Sequence, residues 1–144
     1  MPEIVEADGL NFTYHKMDLR DFEIPKGRYA LRIASRIILL FRKSDSESLA
    51  HQIQAGLKPR GVLYIYTFST EDIQYITKWD ELEKLEENTF YYLKYKLDFH
   101  LFSKEKHLGL FPKLKLQYYA QGLTFNRRVS RLSGDIQYVG KKLR

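Results

Sequence analysis

The 144 residues, 44% hydrophobic and 15% aromatic, match the size of one domain with apolar material for one core. Cysteine is absent, which excludes disulfides, thiolate nucleophiles and cysteine-based metal sites. The net charge of +6 is uneven: residues 1–100 carry 14 Lys and Arg against 16 Asp and Glu (net −2), and residues 101–144 carry 10 against 2 (net +8).

Residues 1–9 are polar and acidic and read as a loose lead-in. Leu10, Phe12 and Tyr14 alternate with Asn11, Thr13 and His15, which predicts a first strand. Asn11-Phe12-Thr13 fits a glycosylation acceptor, but without a secretory leader it reads as a strand-edge asparagine. Pro25-Lys26-Gly27 predicts a reversal, because proline presets one turn dihedral and glycine permits a positive one. Arg28–Arg42 satisfies two periods. As a strand it puts Tyr29, Leu31, Ile33, Ile37, Leu39 and Phe41 on one face; as a helix it groups Ala30, Ile33, Ala34, Ile37 and Phe41. The Ala, Leu and Arg content favours the helix slightly, while the preceding turn favours a hairpin.

Ser44-Asp45-Ser46-Glu47 has the form of a capping box, with a helix through Leu49, Ala50, Ile53 and Leu57 that ends near Gly56 or Pro59. Val62–Phe68 is apolar on both parities and predicts a buried interior strand. Ile73, Ile76, Trp79, Leu82 and Leu85 recur at intervals of three, predicting an amphipathic helix over 71–87, with a short strand at 73–77 before a shorter helix as the variant.

From Tyr91 to Leu101 the odd positions are apolar and the even ones include Lys94, Lys96, Asp98 and His100. Leu114, Leu116 and Tyr118 then alternate with Lys113, Lys115 and Gln117. The pair reads as a hairpin of neighbouring strands with a basic open face. Leu123–Phe125 and Asp135–Val139 read as two short strands around Ser133-Gly134, and the basic tail, 140–144, as loose. The plan is α+β: a single compact domain, 1–144, of mainly antiparallel sheet with two or three short helices packed on it.

No His-x-x-x-His, His-Glu-x-x-His or His-x-Glu arrangement occurs, and no lysine has an acid two residues before it. Gly-x-Ser-x-Gly, Gly-x-x-x-x-Gly-Lys and Gly-x-Gly-x-x-Gly are also missing. The four histidines, His15, His51, His100 and His107, read as solvated. These patterns predict no enzyme, no cofactor and no small-molecule substrate. What remains is basic and aromatic. Lys94, Lys96, His100, Lys113 and Lys115 would align on the hairpin, and Arg127, Arg128, Arg131, Lys141, Lys142 and Arg144 would extend the charge toward the C-terminus. Clustered ammonium and guanidinium groups suit phosphate, and nearby Tyr92 and Tyr119 suit base stacking. The expectation is a non-enzymatic module that contacts the backbone of nucleic acid, DNA or RNA. The motif of the recognised RNA-binding sheets is missing, so sequence readout is not expected.

The order strand, possible helix, strand, then a long aromatic strand over Phe90–Phe102 resembles the small matrix proteins of negative-strand RNA viruses, although no Pro-Pro-x-Tyr signal is present. That resemblance implies the alternative: an assembly protein that self-associates through sheet edges and lays its basic surface on acidic membrane or nucleoprotein. No apolar run reaches the roughly 18–20 residues that cross a bilayer, and the start lacks a signal-peptide pattern, so a soluble intracellular protein is expected.

Overall fold

The computed structural model describes residues 3–7, 9–72, 79–127 and 131–144. A hairpin of β1 (Glu3–Ala7) and β2 (Leu10–Tyr14) turns at Gly9, whose φ of +74° suits a residue without Cβ. The predicted reversal at Pro25-Lys26-Gly27 is present, with Gly27 at φ +61°. It leads into β3 (Tyr29–Ser35), a short 3-10 turn at Ile38–Leu40, helix α1 (Lys43–Ala55) and β4 (Leu57–Phe68). Strands β3 and β4 are parallel, with Leu31 opposite Val62 and Ile33 opposite Tyr64. Parallel neighbours need a crossover, and α1 is that crossover.

The helix leaning for 28–42 is therefore corrected to a strand plus a 3-10 turn. β-Branched and aromatic side chains on a pleated surface outweigh the helix propensity of Ala and Arg here. The helix expected after it exists, but Arg42 is its N-cap and no side chain caps it. Ser46 is instead wholly buried, its hydroxyl donating to the Ile38 carbonyl at 2.7 Å. Leu57 opens β4 rather than closing the helix. The helix exit is tied to the entry of β3: Gly27 N–H donates to the Ala55 carbonyl at 2.9 Å, and Arg28 N–H to that of Gly56 at 2.9 Å.

Strand β8 (Leu114–Asn126) and strand β9 (Arg131–Lys142) form a long hairpin, and β9 lies antiparallel beside β4. The resulting sheet has the order β3-β4-β9-β8. It is mixed, so the mainly antiparallel plan is corrected. β4 is an interior strand, as its two-sided apolar pattern requires.

Residues 90–102 are not one long strand. They form β6 (Thr89–Tyr92) and β7 (Leu97–His100), turned at 93–96 with Lys96 at φ +52°. With β5 (Leu82–Glu86) they make a separate three-stranded sheet, β5-β6-β7. Leu114–Tyr118 pairs with β9 and not with 91–101, so the expected basic hairpin does not form. Period-two alternation identifies a strand without naming its neighbour. The helix over 71–87 is corrected to a 3-10 turn at Trp79–Glu81 followed by β5; residues 73–78 lie outside the described residues.

Helix α1 covers one face of the large sheet. Leu49, Ala50 and Ile53 meet a core in which Leu63, Ile65 and Ile136 have no exposed surface. Burial of each such aliphatic side chain contributes about 1.5–3 kcal/mol. A second helix, α2 (Lys104–Gly109), capped by the Ser103 hydroxyl, drives His107 into that core. The His107 ring lies 5.4–6.1 Å from those of Phe102, Phe111, Tyr119 and Tyr138, and neither nitrogen has a hydrogen-bond partner. The reading of His107 as a solvated loop residue is corrected.

Among the described residues, the opposite, outer face of the sheet leaves much apolar surface exposed. Leu31 and Ile33 are 56% and 66% exposed, Tyr118 is exposed, and Val62, Tyr64, Tyr66 and Val139 between them are half-buried.

Candidate active site at the carboxyl ends of β3 and β4

In open α/β sheets ligands gather outside the carboxyl ends of the parallel strands. Here β3 ends at Ser35 and the next residue, Arg36, has φ +54°. A side chain there costs about 1–2 kcal/mol relative to the right-handed region. The turn is held by the Arg36 N–H, which donates to the Tyr66 carbonyl at 2.6 Å. It swings the guanidinium across β4, 5.1 Å from the Tyr66 ring centre and 5.4 Å from that of Phe68, with Nη2 donating to the Tyr66 hydroxyl at 3.4 Å.

Strand register supplies the acid. Phe68 pairs with Asp135 on β9, which places the carboxylate on the Tyr66 side of the sheet. Asp135 is 6% exposed. Its Oδ2 accepts from the Thr124 hydroxyl of β8, while its Oδ1 is buried without a partner. Gly122 lies opposite Asp135 in the β8–β9 ladder, with open space at its Cβ position. Burial pushes the Tyr66 hydroxyl pKa up, the hydrogen bond from Arg36 pulls it down, and hydrogen bonding toward the Asp135 carboxylate, with its charge, raises it further. Arg36, Tyr66, Thr124, Phe125, Arg127, Ser133 and Asp135 line a cleft of about 360 Å³. An orphaned buried carboxylate oxygen costs about 1–3 kcal/mol unless something donates to it. A ligand N–H or O–H would do so.

The sequence-predicted basic residues do not share one face. Lys94 and Lys96 stand in the β6–β7 turn of the smaller sheet, exposed, with Lys94 5.5 Å from the Tyr95 ring centre. His100 is buried rather than solvated, and its Nδ1 lies 2.7 Å from the Thr89 hydroxyl; burial holds its pKa below the ordinary histidine value. Lys115 and Lys141 are opposite one another in the β8–β9 ladder, so the fold does bring that pair together. Lys113 and Lys142 line a neighbouring cavity, and Lys142 donates to the Leu57 carbonyl at 2.8 Å. Arg127 lies at the far end of β8, in the cleft described above. Arg144 is exposed at the terminus. Arg128 and the side chain of Arg131 lie outside the described residues.

Arg36, Tyr66 and Asp135 were missed by the sequence reading. Asp135 did carry a signal: it is one of two acids in the last 44 residues and stands in an apolar strand. Among the described residues no group of three or more His, Asp or Glu could hold a metal ion, and no helix is long and apolar enough to cross a membrane.

No protein-family model matches the sequence, and neither does any curated protein. Solved structures do match by fold. A SAM-dependent methyltransferase from Methanosarcina mazei is 13% identical with a TM-score of 0.70 over 88% of this chain and 65% of its own. One from Mesorhizobium loti is 10% identical with a TM-score of 0.65 over 94% of this chain and 72% of its own. The 1,6-didemethyltoxoflavin-N1-methyltransferase of Burkholderia thailandensis, solved with 1,6-didemethyltoxoflavin and S-adenosylhomocysteine, is 10% identical with a TM-score of 0.60 over 87% of this chain and 48% of its own. The chain thus spans between 48% and 72% of the length of these three structures. These likenesses overturn the expectations of a non-enzymatic nucleic-acid module, of a viral matrix-like protein and of a chain with no small-molecule substrate. The α+β plan gives way with them: the fold is like the Rossmann-like fold of these matched structures.

Proposed function

We propose that the chain is part of a SAM-dependent methyltransferase and that its cleft at the carboxyl ends of β3 and β4 holds the methyl acceptor. The observation that carries this reading is the unpartnered, buried Oδ1 of Asp135 in a cleft where α/β sheets take their ligands. The likeness of the fold to the methyltransferases supports it.

S-adenosylmethionine supplies an electrophilic methyl group on a sulfonium when bound. Nucleotide-type cofactors on such sheets rest on a glycine-rich turn between a parallel strand and its helix. The turn between β3 and α1 contains no glycine, and it is filled by Ile38 and Leu39, at 0% and 1% exposed. The described residues therefore do not form a cradle for that cofactor, and they are assigned the acceptor side alone.

On that side Asp135 Oδ1 accepts a hydrogen bond from an acceptor N–H or O–H and orients it. The Tyr66 and Phe125 rings give the cleft apolar walls, and Arg36 and Arg127 disfavour cationic molecules. The substrate class is a small neutral or anionic molecule with a nitrogen or oxygen nucleophile. Titrating a panel of such heteroaromatic amides and phenols into the isotope-labelled chain tests this. Binders should shift the Tyr66 and Asp135 resonances and weaken about tenfold in D135N, which removes the charge and one acceptor. A panel that moves none of the cleft resonances, or a D135N chain that binds equally well, sinks the reading.

A further inference from the structure

The end of the large sheet opposite the Asp135 cleft carries a second concave surface. Lys142 stands seven residues beyond Asp135 on β9, about 23 Å away at the usual strand rise of about 3.3 Å per residue. There the turn before β3, the last turns of α1, the start of β8 and the end of β9 enclose a cavity of about 520 Å³, whose polar lining is Lys26, His51, Gln54, Lys113 and Lys142. Three of these bring ammonium groups, His51 brings a ring N–H, and no acid lines the cavity.

The fold holds the cations in place. Lys142 Nζ donates to the Leu57 carbonyl at 2.8 Å, which uses one of its three hydrogens and fixes the group. Gln54 is 4% exposed; its Nε2 donates to the Leu110 carbonyl at 3.2 Å and its Oε1 accepts the Lys113 N–H at 3.4 Å, so a buried side chain of α1 pins the backbone that carries Lys113. The bond from Gly27 N–H to the Ala55 carbonyl does the same for the turn that carries Lys26. Like charges gathered in a concavity repel one another and focus a positive potential there.

Nearby lysines are neutralised and these are not. Lys43 lies 4.0 Å from Glu47 and Lys106 lies 2.9 Å from Glu87, whereas among the described residues Lys26, Lys113 and Lys142 have no carboxylate in reach. The charge is also confined. Lys115 and Lys141 sit opposite one another in the ladder, and because side chains alternate along a strand they face away from Lys142, so no basic stripe continues out of the cavity. A small anion fits such a place better than a polymer does. A second cavity of about 420 Å³ adjoins across His51 and Gln54, with Phe102, Leu110 and Pro112 on its wall.

We propose that the cavity at the amino ends of β3 and β4 binds the phosphate group of a small phosphorylated molecule. Lys26, Lys113 and Lys142 meet the charge, His51 donates a hydrogen bond to a phosphate oxygen, and the apolar part of the molecule lies along Phe102, Leu110 and Pro112. Charge-assisted N–H···O bonds to phosphate are short and strong, and they relieve the repulsion among the ammonium groups.

The probes are methyl phosphate and phenyl phosphate, which carry the same charge, each titrated into the whole isotope-labelled chain at fixed ionic strength. Both should move the amide resonances of Gly27, His51, Lys113 and Lys142. Phenyl phosphate should half-saturate at about 1 mM and bind about fivefold more tightly than methyl phosphate, and added salt should weaken both. The double variant K26E/K113E changes two exposed residues, so it should melt like the parent and weaken binding about tenfold or more. The control K84E/K94E, at exposed positions of the smaller sheet, should bind like the parent. No shift at the cavity up to about 10 mM, equal affinity for the two phosphates, an equal loss in the control, or shifts centred on Tyr66 and Asp135 would each overturn the inference. The acceptor titration reads other resonances, so the two readings fail separately.

Discussion

Asp72 Oδ2 accepts the backbone N–H of Gly134 at 2.8 Å, and this bond clips the segment that follows β4 onto the start of β9, one residue before Asp135. Ser69 N–H donates back to the Gly134 carbonyl at 2.8 Å. A Cβ on Gly134 would press into the Glu71–Asp72 backbone, coming within 2.8 Å of the Asp72 Cα. G134A should therefore destabilise by about 1–3 kcal/mol, because backbone has to move. Urea unfolding of G134A beside G122A checks it; Gly122 has open space around its Cβ position and should change far less.

Ile65 and Ile33 separate the two faces of the large sheet, at 0% and 66% exposed. An aspartate at 65 is a buried charge without a partner and costs several kcal/mol against a total of about 5–15 kcal/mol. I65D should lose its cooperative transition, while I33D should keep one close to that of the parent. Equal melting of the two variants would refute the assignment of the core face.

His107 makes stability depend on pH. Burial lowers its pKa from 6.5 to about 4. The unfolded chain binds this proton between those values and the folded chain does not, so stability is fully present above about pH 6.5 and falls as pH drops toward about 4. The loss should approach about 3 kcal/mol. H107F fits the same ring of aromatics and should flatten most of the slope. His100, whose pKa is also lowered by burial, leaves a residual slope in the same direction. Unfolding free energies between pH 4 and 7 for parent and variant read this directly.

Arg36 combines a left-handed backbone with stacking on Tyr66 and Phe68. R36G relieves the backbone and loses the stacking; R36A loses the stacking and keeps most of the backbone penalty. R36A should be the less stable of the two by about 1 kcal/mol, reversing the usual order of alanine and glycine. Both should weaken acceptor binding in the cleft. Thermal melts and ligand titrations of the pair separate the structural from the binding effect.

The local chemistry of this chain was legible where one residue type has one physical use. Two-sided apolarity marked Val62–Phe68 as interior, Pro25-Lys26-Gly27 marked a turn, and the Leu49, Ala50 and Ile53 stripe marked α1. Partner choice was not legible. The alternation of Tyr91–Leu101 and Leu114–Tyr118 is the same whether they pair with one another or, as they do, with different strands. Reading 28–42 as a helix also hid the strand–helix–strand unit that carries the resemblance to methyltransferases. The site was hidden for a related reason: Arg36, Tyr66 and Asp135 are distant in sequence and meet only through the β4–β9 register.

The bonds from Gly27 and Arg28 to the end of α1 shape the order in which the molecule assembles. They close β3, α1 and β4 into a unit whose contacts are short-range in the chain, and the β8–β9 hairpin is equally local. The seam between them pairs Val62 with Lys141, more than half the length of the chain apart, and closing it demands the larger loss of chain entropy. Refolding should therefore proceed by independent formation of the two pieces and late zipping of β4 against β9. Truncations at Ile53 should slow folding, those at Ile136 should mainly hasten unfolding, and the seam should be the first place at which the native molecule opens.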